Sequence, residues 1–118
     1  MNKPYDLEER LIEFAAAVID VVEELPSSKA GNHIASQLVR SGTSPAPNYG
    51  EARGAESKKD FVHKLKISLK ELRETSVWLR LIAKKQFCDP SRCESAIKEC
   101  EELICIFVSS TKTAEGGN

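Results

Sequence analysis

The chain has 118 residues and a net charge of −1, which gives room for one domain and argues against a dedicated nucleic-acid-binding protein. Hydrophobic residues make up 41% of it and charged residues 30%, a globular balance that excludes a disordered chain. The longest purely apolar run, at 14–19, is far shorter than the roughly 20 residues that a membrane span requires, and the N-terminus has no apolar signal core. We therefore expect a cytoplasmic protein with no membrane segment.

The first predicted helix runs from about Leu7 to Leu25. Asp6 precedes it as a candidate N-cap, and Glu8 and Glu9 lie where the helix dipole favours negative charge. Its apolar residues recur at helical spacing and are expected to face the core. They are Leu7, Leu11, Phe14, Val18, Val22 and Leu25.

The second predicted helix opens near Lys29 and meets a proline-rich segment, Ser44-Pro45-Ala46-Pro47. Each proline removes a hydrogen-bond donor and disfavours α geometry in the residue before it. We expect the helix to kink or stop at this segment, and to resume through 48–52 before Gly54 ends it.

The third and fourth predicted helices have clear starting points. Ser57 and Asp60 resemble a capping box, and no glycine or proline interrupts the chain from there to about Lys85. Asp89 and Pro90 then supply an N-cap followed by a proline at the first helical position.

The pattern as a whole contains no alternating strand-like window, so the fold class is expected to be all-α. Four amphipathic helices joined by short loops predict an up-and-down antiparallel four-helix bundle with a kinked second helix. We assign this single domain to 1–113 and expect a disordered tail at 114–118.

Helical periodicity divides the third helix into faces. The face predicted to point into the core consists of Phe61, Leu65, Ser68, Leu72, Ser76 and Leu79. A band beside it mixes aliphatic residues, opposite charges and the chain's only tryptophan, a composition that suits a subunit interface. The candidate interface residues are Lys64, Ile67, Glu71, Trp78 and Ile82. The alternative is that Trp78 covers the core of its own subunit.

A basic row lies opposite the core face and consists of Lys59, His63, Lys66, Lys70, Arg73, Arg80 and Lys84. The first helix, by contrast, carries seven acidic residues and one basic residue between positions 6 and 24. Three interpretations are open: a solvated face, a charge-matched contact with the first helix, within a subunit or between neighbours, and a phosphate-binding face. For the last, the candidate nucleic-acid contacts are Lys59, Lys66, Lys70 and Arg73.

The segments that carry a family resemblance lie in the second and third helices. They read Arg40-Ser41-Gly42-Thr43-Ser44, Asn48-Tyr49-x-Glu51-Ala52, Ala55-x-Ser57-Lys58-Lys59-Asp60-Phe61, Lys64-Leu65-x-Ile67-x-Leu69-Lys70-Glu71, Glu74, and Trp78-Leu79-Arg80-Leu81-Ile82. With this order and spacing the chain resembles the bacterial four-helix bundle proteins related to the 23S rRNA intervening-sequence proteins. The resemblance spans nearly the whole chain and implies a homopentamer without established enzymatic activity.

A related branch of these proteins comprises the accessory variability proteins of retroelements, which are pentameric, markedly basic and bind nucleic acid and a reverse transcriptase. The net charge of −1 departs from that branch and weakens any transfer of nucleic-acid binding. Pro47, directly before Asn48, stands where many relatives have a small residue and implies a sharper kink.

The family pattern also includes polar residues on helices that otherwise pack. Asn48 is expected to bond backbone groups that the two prolines free, and Glu51 either to do the same or to meet a lysine of the third helix. Lys64 paired with Glu71 or Glu74 of a neighbouring subunit would set the register of an oligomer.

The chain offers little for catalysis or metal binding. Glu51, Glu71 and Glu74 resemble the inward carboxylates of di-iron bundles, but neither histidine has a glutamate three residues before it. No Gly-rich phosphate loop, nucleophile motif or zinc spacing stands out. The four cysteines are interpreted as buried free thiols: Cys88, Cys93, Cys100 and Cys105.

Two functions remain after these exclusions, and neither calls for an enzyme, a metal or a cofactor. The first is an oligomeric scaffold or adaptor whose ring presents a surface to a protein or RNA partner. The second is direct binding of nucleic acid, such as rRNA, through the basic face of the third helix.

Overall fold

The computed structural model describes residues 6–116, and these residues form five α-helices and no strand. The helices are α1 (Leu7–Glu24), α2 (Lys29–Thr43), α3 (Pro45–Arg53), α4 (Lys58–Lys85) and α5 (Pro90–Ala114). The all-α prediction is confirmed for this part of the chain.

The C-terminal boundary differs slightly from the prediction. α5 continues to Ala114, one residue past the predicted end of the domain, and Glu115 and Gly116 follow as a turn. The rest of the predicted tail, 117–118, lies outside the described residues, as do residues 1–5. Between 6 and 116, no helix is long and apolar enough to cross a membrane.

Side-chain caps fix where four of the helices begin. Asp6, Ser28, Ser57 and Asp89 each accept a hydrogen bond, 3.0 or 3.1 Å long, from the backbone N–H three positions later. Each bond satisfies an N–H that has no partner inside its helix. The predicted caps at Asp6, Ser57 and Asp89 are thus confirmed.

The proline segment separates α2 from α3 without leaving the helical conformation. Ser44 keeps right-handed helical dihedrals, φ −73° and ψ −37°, and α3 begins at Pro45 rather than near Asn48 as the sequence suggested. Pro45 and Pro47 occupy the first and third positions of α3, where a backbone N–H has no partner within the helix. The prolines therefore end the series of backbone hydrogen bonds of α2, and they are still compatible with the first turn of α3.

α1 and α4 occupy opposite corners of the fold. Each packs against α2, α3 and α5, but the backbones of α1 and α4 do not come close to one another within the described chain. The side chains between them form one core. Its largest fully buried members include Leu11, Val18, Val21, Leu38, Leu65, Leu72, Leu79, Ile82, Leu103 and Phe107.

Most of the residues predicted to face the core on the first and third predicted helices, which are α1 and α4, are buried. The predicted apolar stripe on each helix is nevertheless narrower than the buried surface. Val21 and Thr75 are fully buried although neither was on a predicted stripe, whereas Val22 and Phe61 are only partly buried. Because α1 and α4 are each packed on two sides, the buried arc of each helix is wider than a single stripe.

α1 and α2 approach one another closely at Gly42. A Cβ atom at this position would lie 2.6 Å from Cγ1 of Val18, which is fully buried. Gly31 lets the loop before α2 pack closely against that helix, because a Cβ there would collide with the backbone carbonyl of Pro26. The absence of a side chain at Gly42 therefore lets the two helices pack side by side.

Replacing Gly42 by alanine is expected to lower the free energy of unfolding by about 1–3 kcal/mol, because the added methyl group meets Val18. Gly50 in α3 is a matched control, since its added Cβ would lie 3.6 Å from the nearest atom, a carboxylate oxygen of Glu8. Gly50→Ala should leave stability unchanged or raise it by up to about 1 kcal/mol through helix propensity. Urea unfolding at fixed protein concentration measures both, and equal effects of the two substitutions would contradict this packing.

Candidate interaction surfaces

Arg40 joins α2 to α4. Its guanidinium donates hydrogen bonds to Glu74 Oε2 at 2.6 Å and to Glu71 Oε1 at 3.2 Å. Trp78 Nε1 donates to the same Glu74 oxygen at 3.0 Å, and the ring of His33 meets the Trp78 ring edge-on with a centroid separation of 6.0 Å. We call Arg40, Glu71, Glu74 and Trp78 the α2–α4 clamp.

Hydrogen bonding favours the ionised forms of Glu74 and Arg40. The bond from Trp78 lowers the pKa of Glu74, burial opposes that shift, and the bond from Arg40 adds to it. The hydrogen bond to Glu74 in turn raises the pKa of Arg40. Because the Arg40 side chain is 51% exposed, we expect these ion pairs to orient the two helices more than they stabilise them.

A buried hydroxyl pair lies next to the clamp. Thr75 Oγ1 donates to Ser41 Oγ at 2.8 Å, and both residues are fully buried. A buried polar group that loses its partner costs about 1–3 kcal/mol. The pair therefore favours one register of α2 against α4.

Asn48 and Glu51 both stabilise the region of the kink. The Asn48 side-chain Nδ2 donates to the carbonyl oxygen and to the hydroxyl of Ser44, both at 3.0 Å. It thus supports the residue between α2 and α3, and the prediction that it bonds the carbonyls freed by the two prolines is wrong. Glu51 accepts a hydrogen bond from Lys64 Nζ at 2.6 Å, which ties α3 to α4.

Most of the predicted oligomer interface has partners inside its own subunit. Ile82 is fully buried in the core, so its assignment to an interface is wrong. Lys64 binds Glu51, and Glu71 binds Arg40, so neither needs the neighbouring subunit that was expected to supply a partner. Periodicity identified the band beside the core face, but it did not reveal that α2 and α3 cover it.

Ile67 and Trp78 are the remaining members of that band. Both are half-buried, and Trp78 packs against the core of its own subunit, as the alternative interpretation had it. A contact of Ile67 with another subunit stays a prediction.

The nucleic-acid candidates all lie on the outward side of α4. Lys59, Lys66, Lys70 and Arg73 are exposed. Lys66 Nζ forms an ion pair with Glu115 Oε2 at 2.8 Å, whereas the other three make no ion pair with the described residues. The structure therefore brings the four together as a positive strip, about 21 Å long at 1.5 Å per residue.

The acidic residues of α1 do not neutralise this strip within the subunit. Glu8 binds Arg53 at 3.0 Å and Glu24 binds Arg92 at 2.7 Å, and both partners lie on other helices than α4. Pairing of α1 with the strip inside one subunit is therefore wrong, because the two helices occupy opposite corners. Pairing between neighbouring subunits stays open.

The fold agrees with the results of comparison with known proteins. The family described as 23S rRNA-intervening sequence protein matches residues 5–109. The chain belongs to this family. A crystal structure of a protein of unknown function from the S23 ribosomal protein family of Bacteroides thetaiotaomicron superimposes with a TM-score of 0.81 and 31% identity, over 89% of this chain and 97% of that one. No curated protein matches.

Among residues 6–116 of this intervening-sequence family member, four large apolar side chains are exposed. They are Ile12 and Ile19 on α1, and Val77 and Leu81 on α4. These four residues were not predicted to be exposed, because apolar residues on an amphipathic helix were expected to face the core. Their spacing was the available signal, since seven and four residues place each pair on one outward side of its helix.

The four thiols differ in their exposure. Cys88, Cys93 and Cys100 are buried, and burial raises the pKa of Cys88 to about 11 and that of Cys100 to about 12. Cys105 is exposed, so the expectation of four buried thiols is wrong at this position. Five residues separate it from Cys100, which turns it to the other side of α5.

Metal-ligating side chains are scattered over the described part of the chain. Among residues 6–116, no group of three or more His, Cys, Asp or Glu could hold a metal ion. The carboxylates of Glu71 and Glu74 bind Arg40 instead.

Acidification should remove the contribution of Glu74 to stability. Because its pKa is lowered in the folded state, that contribution is fully present above the ordinary glutamate pKa of about 4.3 and is lost as the pH falls through the folded value. We expect Glu74→Gln to lower the free energy of unfolding by up to about 1 kcal/mol at pH 7, and by progressively less between pH 5 and 3.

Urea unfolding followed by the fluorescence of Trp78, the only tryptophan, measures this difference directly. Glu101→Gln on α5 is the control, since that carboxylate is exposed and makes no ion pair among the described residues. A difference between wild type and Glu74→Gln that is the same at pH 7 and pH 3 would contradict the role of the ionised carboxylate.

Proposed function

We propose that this chain is the subunit of a non-enzymatic, cytoplasmic scaffold: an up-and-down antiparallel four-helix bundle that assembles as a cyclic homo-oligomer, a homopentamer. The assembled ring presents a surface to a protein or RNA partner. The observation that carries the proposal is the exposure of large apolar side chains on the outward sides of α1 and α4, which leaves apolar surface for a neighbouring subunit.

The order of contacts along the helices supports the antiparallel arrangement. Early in α1, Arg10 binds Glu99 and Glu102 well inside α5, whereas Glu24 at the end of α1 binds Arg92 near the start of α5. The same reversal holds between α4 and the helices beside it, where Lys64 binds Glu51 and the later Glu74 binds the earlier Arg40. α2 and α3 together then act as one kinked helix of the bundle.

The engagement of the clamp residues supports a structural role for the family pattern. Arg40, Glu71, Glu74 and Trp78 use their polar atoms on one another. A substrate-binding site would need such groups directed into a cavity. The sides left for a partner are the outward sides of the helices.

Sedimentation of the purified protein at micromolar concentration tests the proposal. We expect a single species of about five times the subunit mass of 13.1 kDa. Lowering the concentration tenfold should leave that mass unchanged if the ring is stable. A monomer across the whole concentration range would contradict a homo-oligomeric scaffold.

The alternative is direct nucleic-acid binding through the basic strip of α4. The observation in its favour is that Lys59, Lys70 and Arg73 are exposed on one side and make no ion pair within the described chain. Unpaired cations in a row can contact successive phosphates, and such binding weakens steeply with salt.

Lys66→Glu combined with Lys70→Glu tests this alternative, because it should abolish binding to rRNA fragments at about 0.1 M salt. Lys29→Glu at the start of α2 combined with Lys98→Glu on α5 makes the same change in net charge on helices other than α4 and should cause a much smaller loss. A wild-type protein without salt-sensitive affinity would refute nucleic-acid binding outright.

A further inference from the structure

The exposed apolar residues lie in two outward patches, one with acidic and one with basic residues around them. Ile12 and Ile19 are 47% and 42% exposed on α1, and Val77 and Leu81 are 53% and 37% exposed on α4. Acidic residues stand on either side of the first pair and basic residues on either side of the second. We define the α1 patch as Glu9, Ile12, Ile19 and Glu23, and the α4 patch as Lys70, Val77, Leu81 and Lys84.

The two patches match in length. Glu9 and Glu23 are separated by 14 positions, as are Lys70 and Lys84. At 1.5 Å per residue, each pair of charges is about 21 Å apart along its helix. In both patches the apolar side chains lie between the charges, which is the arrangement of an interface with an apolar centre and a charged rim.

The charges of both patches are available for a partner. Glu9, Glu23, Lys70 and Lys84 are exposed and form no ion pair with any residue in 6–116. This distinguishes them from Glu8 and Glu24, whose carboxylates already bind arginines of the same subunit. Lys70 acts only at longer range on Glu74, whose pKa its charge helps to lower. A second chain would therefore meet unpaired carboxylates on α1 and unpaired ammonium groups on α4.

The position of the patches decides which pairing is possible. α1 and α4 do not touch within one subunit, so the two patches cannot cover one another there. Contacts of α1 with α1 or of α4 with α4 between copies would bring like charges together, which is unfavourable. The remaining combination is α1 of one copy with α4 of another.

We propose that the α4 patch of one copy binds the α1 patch of the next, with the aliphatic residues in the centre and Glu–Lys pairs at the rim. This inference rests on the proposed homo-oligomer and identifies its contact. Because the two patches are different surfaces, the contact is heterologous, and repetition of such a contact forms a ring when the rotation closes.

The contact has a consequence for the alternative function. Lys70 belongs both to the α4 patch and to the nucleic-acid candidates. In the assembled ring it faces the carboxylates of the neighbouring α1. Assembly through this contact therefore removes part of the basic strip from solvent.

Charge reversal on each patch tests the contact by sedimentation. Lys70→Glu with Lys84→Glu, and separately Glu9→Lys with Glu23→Lys, should each reduce the protein to monomers, because like charges then meet at both ends of the contact. Combining all four substitutions in one chain restores opposite charges and should restore the wild-type mass. Lys98→Glu with Lys112→Glu on α5 should keep the wild-type mass.

Circular dichroism shows whether each variant is folded. If a reversal unfolds the chain, Lys70→Gln with Lys84→Gln tests the same contact and should weaken association about tenfold. A folded α4 variant that keeps the wild-type mass, or a folded quadruple variant that stays monomeric, overturns this contact but leaves the homo-oligomer standing. A monomeric wild type overturns the proposed scaffold itself.

Discussion

Arg40 on α2 holds the carboxylates of Glu71 and Glu74 on α4, and the next two residues of the chain extend that contact. Ser41 shares a buried hydrogen bond with α4, and Gly42 admits a buried valine of α1. Three consecutive residues thus position α2 against both of its main neighbours. We expect substitution of any of the three to be destabilising, each for a different reason: a paired charge, a paired buried hydroxyl and a space too small for a Cβ.

This arrangement also determines which surfaces are left for other molecules. Because α2 and α3 cover one side of α4, the polar band next to its core face is satisfied inside the subunit. The outward sides of α1 and α4, at opposite corners of the bundle, stay exposed to solvent. That of α1 is acidic and that of α4 is basic. The net charge of −1 is therefore the sum of an acidic surface and a basic surface on opposite sides of the subunit. Such an uneven charge distribution suits a subunit that binds copies of itself in one direction.

Features that depend on neighbours in the sequence could be predicted, and contacts between helices could not. The caps at Asp6, Ser57 and Asp89 involve residues three positions apart, so the local pattern contains all the information. Arg40 and Glu74 are 34 positions apart, and helical periodicity gives the side of a helix without saying which helix lies there. For that reason helical periodicity placed Ile82 at an interface, although it is fully buried in the core of its own subunit.

A disulfide between α1 and α4 tests the central claim most directly. In a Cys105→Ser background, the chain with both Ile19→Cys and Leu81→Cys should oxidise to covalent multimers, because these positions lie at nearly the same level, ten residues after Glu9 and eleven after Lys70, when those charges pair between copies. Each single variant should stay monomeric on a non-reducing gel. Failure of the double variant to cross-link while the protein remains an oligomer, or equal cross-linking of a single variant, would contradict the contact between the α1 and α4 patches.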